Sequence, residues 1–179
     1  MNILLTADPH LGHKNIAKFR TYVDSSEQNT ELFMDEWETR VTKRTRVIFL
    51  GDVVFDRDLI EPFKKLRGEK VLVAGNHDHE KLKTRDLAEM FIEIYGITKY
   101  KKFWLSHAPI HPYELRGSMN VHGHVHDKTI LKYPRCWPMA NPADLNYINI
   151  SQDVIYKETG SIFVSLDQLR EIAAIRKRK

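Results

Sequence analysis

Lys70-Val71-Leu72-Val73-Ala74-Gly75-Asn76-His77-Asp78 is a short run of aliphatic residues that stops at a glycine and passes straight into an amide, an imidazole and a carboxylate. An uninterrupted apolar run of this length, bounded by a turn residue, reads as a buried strand. The same pattern recurs along the chain. Residues 2–6 lead into Asp8-Pro9-His10, residues 46–50 into Gly51-Asp52, residues 103–106 into His107, and residues 119–121 into His122-Gly123-His124-Val125-His126. Within an extended segment, residues two apart point the same way, so Asp8 and His10 converge just past their strand. In open α/β sheets ligands bind at the carboxyl ends of the strands, which predicts that these polar residues gather on one edge.

Between the strands lie segments with helical periodicity. Residues 27–43 place Phe33, Trp37 and Val41 four apart, and residues 80–94 place Leu87, Phe91 and Ile94 on a second expected helix. These aromatics are read as packing residues. Further strands are expected at residues 147–150 and 161–164, and Ser165-Leu166-Asp167-Gln168 fits a capping box that opens a last helix from about residue 167 toward residue 175. Strands alternating with helices make the fold class α/β. The long irregular stretch, residues 129–146, carries Pro134, Pro138 and Pro142 and is expected as a loop and a candidate wall of a pocket.

With 179 residues, 42% hydrophobic and 29% charged, the chain has the composition of one globular domain, expected to span residues 1–179. No internal repeat or linker divides it. It lacks a secretory leader and any apolar run of membrane-spanning length, and Cys136 stands alone, so a cytoplasmic protein without a disulfide or membrane partner is expected. The net charge of +4 owes much to Arg176-Lys177-Arg178-Lys179, read as a frayed, solvated tail.

Oxygen and imidazole donors without thiolates suit manganese, iron, zinc or magnesium rather than a cysteine-bound structural zinc. Two cations held about 3.5–4 Å apart need a bridging anion, and a carboxylate supplies one. Gly51, Gly75 and Gly123 permit the sharp turns or close approach that bring short ligands together.

The ordered blocks Asp8-x-His10, Gly51-Asp52, Gly75-Asn76-His77-Asp78, His107 and Gly123-His124-x-His126 resemble the calcineurin-like metallophosphoesterase family, in its small prokaryotic or phage-type form. The resemblance implies a four-layer α/β/β/α sandwich with a dinuclear centre at the sheet ends. It implies two divalent ions, manganese first, with iron, zinc, nickel or magnesium as alternatives. By the family pattern Asp8, His10 and His126 would hold one ion, Asn76, His107 and His124 the other, and Asp52 would bridge them. His77 would stand beside the scissile phosphate, with Asp78 orienting it as a general acid. The implied activity is that of a phosphodiesterase or phosphatase on small nucleotide-like phosphate esters, working as a monomer or homodimer. A nuclease of the same fold, and a non-catalytic metal-binding scaffold, are the alternatives. His13 is a candidate contact to substrate phosphate, whereas His79, His111 and His122 are expected to be supporting or surface residues. Arg57 could bind phosphate, yet its block departs by one residue from the arginine-bearing block of protein Ser/Thr phosphatases.

Overall fold

The computed structural model describes residues 2–132 and 142–178; Cys136 and the centre of the expected 129–146 loop lie outside the described residues. In chain order the strands are β1 (Asn2–Thr6), β2 (Thr45–Phe49), β3 (Glu69–Val73), β4 (Glu93–Tyr95), β5 (Ile97–Tyr100), β6 (Phe103–Ser106), β7 (Met119–His122), β8 (Tyr147–Asn149) and β9 (Val164–Ser165). The helices are α1 (Ser26–Arg40), α2 (Ile60–Lys65), α3 (Asp78–Lys81), α4 (Thr84–Met90), α5 (Pro112–Leu115), α6 (Gln152–Thr159) and α7 (Leu166–Arg176).

The strands form two sheets. One has the order β4-β3-β2-β1-β9, parallel except for β9, and the other has the order β5-β6-β7-β8, with β5 alone antiparallel. Alternation along the strands decides what each face buries. In the first sheet Leu4, Val47, Phe49 and Leu72 meet Phe33 and Trp37 of α1, Phe63 of α2 and Leu87 of α4, forming an aromatic-rich core. The alternate residues Leu5, Ile48, Val71 and Val73 face Leu105, Val121 and Ile148 of the second sheet, with Ile155 of α6 and Leu169 of α7 closing the edge. The outer aromatics therefore pack a helix layer onto a sheet, as the four-residue spacing predicts. Face-to-face sheets flanked by helices are the expected sandwich.

Some boundaries differ from the sequence reading. The helix expected over residues 80–94 breaks into α3 and α4 and ends at Met90, because Phe91 turns extended (φ −123°, ψ 137°) and the alternating Ile92-Glu93-Ile94-Tyr95 supplies strand β4, which pairs parallel with β3. Of the strand expected at residues 161–164 only Val164 is kept, paired with Leu5 of β1. The capping box does open α7: Ser165 Oγ accepts from Gln168 N at 3.2 Å, and Gln168 Oε1 accepts from Ser165 N at 2.7 Å. Arg176 is not part of a frayed tail. It lies in the last turn of α7, half-buried, and its guanidinium donates to the Tyr147 carbonyl of β8.

His122 ends β7 fully buried, donating Nδ1–H to the Gly123 carbonyl at 2.9 Å. Desolvation pushes it down from 6.5 to about 4, against the opposing pull of that hydrogen bond. The folded state thus keeps this imidazole neutral where the unfolded chain takes up a proton. Its contribution is complete above pH 6.5 and is lost as pH falls toward 4, a change of about 3 kcal/mol. Urea unfolding of His122→Phe across that interval is expected to show a shallower loss of stability than the parent; parallel curves would remove His122 from the account.

Candidate metal centre

The ligand loops are laid side by side by a continuation of the sheet ladder. Beyond β1 and β2, Asp8 N donates to Gly51 O at 3.2 Å, His10 N to Asp52 O at 3.1 Å and Leu11 N to Val53 O at 2.9 Å. In the second sheet Gly123 N donating to His107 O extends the β6–β7 ladder in the same way, and a parallel bridge between Ala7 and Ser151 ties that sheet to the first. The carboxyl ends of β1, β2, β3, β6 and β7 consequently meet at one place, where two sheets rather than one supply the edge.

There the sequence-predicted donors come together. Asp8, His10 and Asp52 are all buried, with one potential ligand atom each lying within 4.8 Å of the others. His10 Nε2 is 4.0 Å from Asp8 Oδ1 and 3.9 Å from Asp52 Oδ2. On the other side His107 Nε2 lies 3.4 Å from Asp52 Oδ2, 3.0 Å from Asn76 Oδ1 and 3.1 Å from His124 Nδ1. His126 sits on the His10 side, ring centroids 5.4 Å apart. Asp52 therefore stands between His10, with His126 beside it, and His107, with Asn76 and His124 beside it, while Asp8 Oδ1 reaches both sides, 4.0 Å from His10 Nε2 and 3.7 Å from His107 Nδ1.

Two observations fit this set to a cation. Both ring nitrogens of His10 are buried without a hydrogen-bond partner among the described residues, a cost of about 1–3 kcal/mol per polar group unless something else binds them. The outer nitrogens of two further histidines are also fixed as metal ligands usually require. His107 Nδ1 donates to Leu50 O at 2.8 Å, and His126 Nδ1 is bonded to Asp153 Oδ2 at 2.7 Å, leaving each Nε2 for the centre.

The electrostatics follow from burial. Desolvation raises the Asp8 carboxyl and lowers His10 well below its ordinary value, the latter helped by Arg20 and His126. His124 is lowered for the same first reason, whereas the bond to Asp153 raises His126. For Asp153 burial pushes upward, and the bonds from His126 and Arg20 overcome it, so the carboxyl is held down.

The backbone carries the strain of this convergence. Asp8 (φ 55°), His10 (52°), Asp52 (56°), His124 (68°) and His126 (51°) all sit in the left-handed region. Such conformations cost roughly 1–3 kcal/mol each and persist where surrounding contacts over-determine them. Those contacts are visible. Ser151 Oγ donates to Asp8 Oδ2 at 2.6 Å, and His124 N donates to the same oxygen at 2.9 Å. Buried Arg20 bonds the Asp8 and Pro9 carbonyls, Asn29, Gln152 and Asp153. Arg20, Ser151 and Asp153 carried no recognisable motif in the sequence, because each works through a backbone atom or another side chain across long separations.

Gly75 explains the glycine of its block. A Cβ there would lie 2.3 Å from Asp52 Oδ1 and 2.8 Å from Asp52 N. Since the backbone nitrogen cannot yield, Gly75→Ala is expected to displace the Asp52 carboxylate and weaken metal binding by about 10–100-fold, the usual scale for losing a ligand's support. Metal titration of the folded variant checks this, and unchanged affinity would show that Asp52 is not constrained by this approach.

Asp78 stands differently from its implied place beside His77. Its carboxylate accepts from Asp52 N (3.0 Å), Val53 N (2.9 Å) and Gly75 N (2.7 Å), locking the two ligand loops together. Burial raises its carboxyl, and those three donors oppose the rise. Glu80 is the carboxylate on His77, at 2.7 Å from Nδ1. His77 N in turn donates to Asp52 Oδ1 at 3.0 Å, which places the half-exposed ring at the rim of the centre.

Phe55 organises that rim and went unnoticed in the sequence. Its ring stacks on His10 at 4.7 Å and contacts His13 at 4.9 Å and His77 at 5.4 Å, with Lys81 Nζ 5.7 Å from its centroid. His13 thus lies beside the centre, next to His10. Arg57 points elsewhere, paired with Asp86 at 3.0 Å. His79 is exposed, and the His111 ring accepts from Tyr113 N as the N-cap of α5.

The strand ends of this two-sheet α/β sandwich gather carboxylates and imidazoles, a donor set suited to divalent cations. Residues 1–170 match the calcineurin-like phosphoesterase family, and the chain belongs to that family. It is 29% identical over 183 residues to the uncharacterized protein MJ1445 of Methanocaldococcus jannaschii, covering 93% of this chain and 97% of that one. It is 26% identical over 165 residues to the Gene 66 protein of Mycobacterium phage L5, covering 73% and 80% respectively. The crystal structure of AQ665, a protein of unknown function from Aquifex aeolicus, has a similar fold, with a TM-score of 0.64 at 20% identity over 96% of this chain and 98% of that one. Among the described residues no helix is long and apolar enough to cross a membrane.

Proposed function

We propose that residues 1–179 act as one phosphoesterase domain that hydrolyses small nucleotide-like phosphate esters, diesters or activated monoesters, with a pair of divalent cations, manganese first. Asp8, His10 and His126 would hold one, Asn76, His107 and His124 the other, and Asp52 would serve both. The observation that carries this reading is the position of the Asp52 carboxylate, within 3.4 Å of His107 and 3.9 Å of His10, between the two donor groups. When bound, the cations supply Lewis acidity toward the phosphate oxygens and a water acidic enough to attack at neutral pH.

The chain's own residues do the rest. Asp52, lying between His10 and His107, would serve both cations and offset their mutual repulsion. His107 and His126, each anchored through Nδ1, present Nε2 without reorganising. His77 protonates the leaving oxygen from its Nε2, since Glu80 occupies Nδ1. Lys81 and His13, both in contact with the Phe55 ring, bind a non-bridging phosphate oxygen, and that ring, stacked on His10, keeps water from it. No Ser or Cys nucleophile is needed.

The test is a metal-by-substrate screen of the purified protein with nitrophenyl mono- and diesters, cyclic nucleotides, nucleotides and single-stranded nucleic acid. Metal-dependent turnover of small diesters or nucleotides is the expected result. Turnover confined to polymeric nucleic acid would replace the reading with a nuclease, and no turnover with any metal would replace it with a binding scaffold.

A further inference from the structure

The end of the molecule opposite the metal centre carries a built cationic cavity. Its residues lie at the amino-terminal ends of β6 and β7, which begin at Phe103 and Met119, whereas the ligands His107 and His124 follow the carboxyl ends of the same strands. At about 3.3 Å per strand residue the two places are about a strand length apart. The cavity encloses about 810 Å³, within the range of small-ligand sites of about 300–1,000 Å³. Phe103, Met119 and Ala173 provide an apolar floor, and Lys99, Lys101, Lys102, Arg170 and Lys177 form the walls, with no acidic residue among the lining groups. Arg170 also reaches outward to Asp167 at 2.7 Å.

The way two of these lysines are placed is unusual. Tyr100 pairs with Phe103, so Lys101 and Lys102 are the two-residue turn of the β5–β6 hairpin, and Lys101 has φ 55°. Tight hairpin turns place Gly, Asn or Asp where φ is positive, because a longer side chain there costs conformational energy. This chain accepts that cost and sets adjacent ammonium groups on the cavity rim. Lys99 Nζ lies over the ring of Trp104 (5.2 Å) and Lys101 Nζ over that of Tyr100 (5.8 Å). Cations around an apolar floor match a ligand with successive phosphates and a flat ring.

We propose that this cavity is a second, non-catalytic binding site for a phosphate-rich anion carrying a nucleobase, either a free nucleoside diphosphate or a segment of single-stranded nucleic acid. The experiment uses the full-length metal-loaded protein with two probes, the non-hydrolysable methylene analogue of ADP and an oligodeoxythymidylate. Binding of each is measured by calorimetry for the parent, for Lys101→Glu with Lys102→Glu, and for His10→Ala at the metal centre. The expected result is binding that His10→Ala retains, that the paired lysine variant weakens by at least about tenfold, and that declines with salt. The lysine variant should keep parent turnover on a small nitrophenyl ester, which also confirms its fold. Tighter binding of the analogue assigns the site to free nucleotides, and tighter binding of the oligomer assigns it to nucleic acid. Binding that His10→Ala abolishes and the lysine variant preserves would put the ligand at the metal centre and overturn the proposal. So would no binding of either probe at millimolar concentration.

Discussion

Asp52→Ala is expected to bring bound metal below one equivalent and to lower kcat on a nitrophenyl diester by at least about 10²–10³-fold, the scale for losing a single preorganised electrostatic contact in an active site. Asp52 stands between His10 and His107, so in the proposed two-cation centre its carboxylate would be the one ligand whose removal exposes each cation to the other's charge. The loss should exceed that of a ligand serving a single side. His124→Ala, on the exposed side of the site, should reduce metal at one position and spare the other. Elemental analysis of the two variants beside the parent separates the cases. Two full equivalents of metal in Asp52→Ala would remove the bridging role, and equal losses in both variants would remove the division into two groups.

His77→Ala is expected to keep both metals and to lose activity according to the leaving group. A departing alkoxide is strongly basic and needs a proton as the bond breaks, whereas a nitrophenolate leaves unaided. General acid catalysis contributes about 10²–10⁴-fold, so the loss should approach that range for an alkyl or nucleoside ester and be clearly smaller for a nitrophenyl ester. The carboxylate on His77 Nδ1 belongs to Glu80, so Glu80→Gln should follow the same trend more mildly. Asp78→Asn should behave otherwise. It disturbs the acceptor of three backbone donors in the ligand loops and should depress both esters together along with metal affinity. Comparing kcat/KM on the two esters for all three variants decides between these roles, and equal losses on both esters in His77→Ala would mean that it is not the acid.

Much of this centre was legible because short-range chemistry wrote it. A buried strand ending in Gly-Asp or Gly-Asn-His places its polar residue within a residue or two of a fixed point, and the sheet delivers that point. The aromatics of α1 were legible for the same reason, since a period of four residues suffices to put Phe33 and Trp37 on one face. What was hidden depends on long-range contacts or on backbone angles. Asp78 and Glu80 lie one and three residues from His77, and only the turn of α3 decides which carboxylate reaches the ring. Arg20 and Asp153 meet across more than a hundred residues, and Phe55 follows its block without a motif of its own. The positive φ of Asp8, His10 and Asp52 is also invisible, since these are the angles of a glycine carried by residues that cannot be glycine here. The split between α4 and β4 was hidden because Phe91 and Ile94 satisfy a helical period while Ile92 and Ile94 satisfy a strand's, and pairing with β3 decides between them.

The central claim is that hydrolysis depends on metal held by Asp8, His10, Asp52, Asn76, His107, His124 and His126. The most direct measurement is a titration of chelator-stripped protein with manganese, following bound metal and turnover of a nitrophenyl diester in the same samples. The account predicts no turnover in stripped protein, recovery as metal binds, and saturation at two equivalents. Undiminished turnover in protein shown by elemental analysis to hold no metal would contradict it.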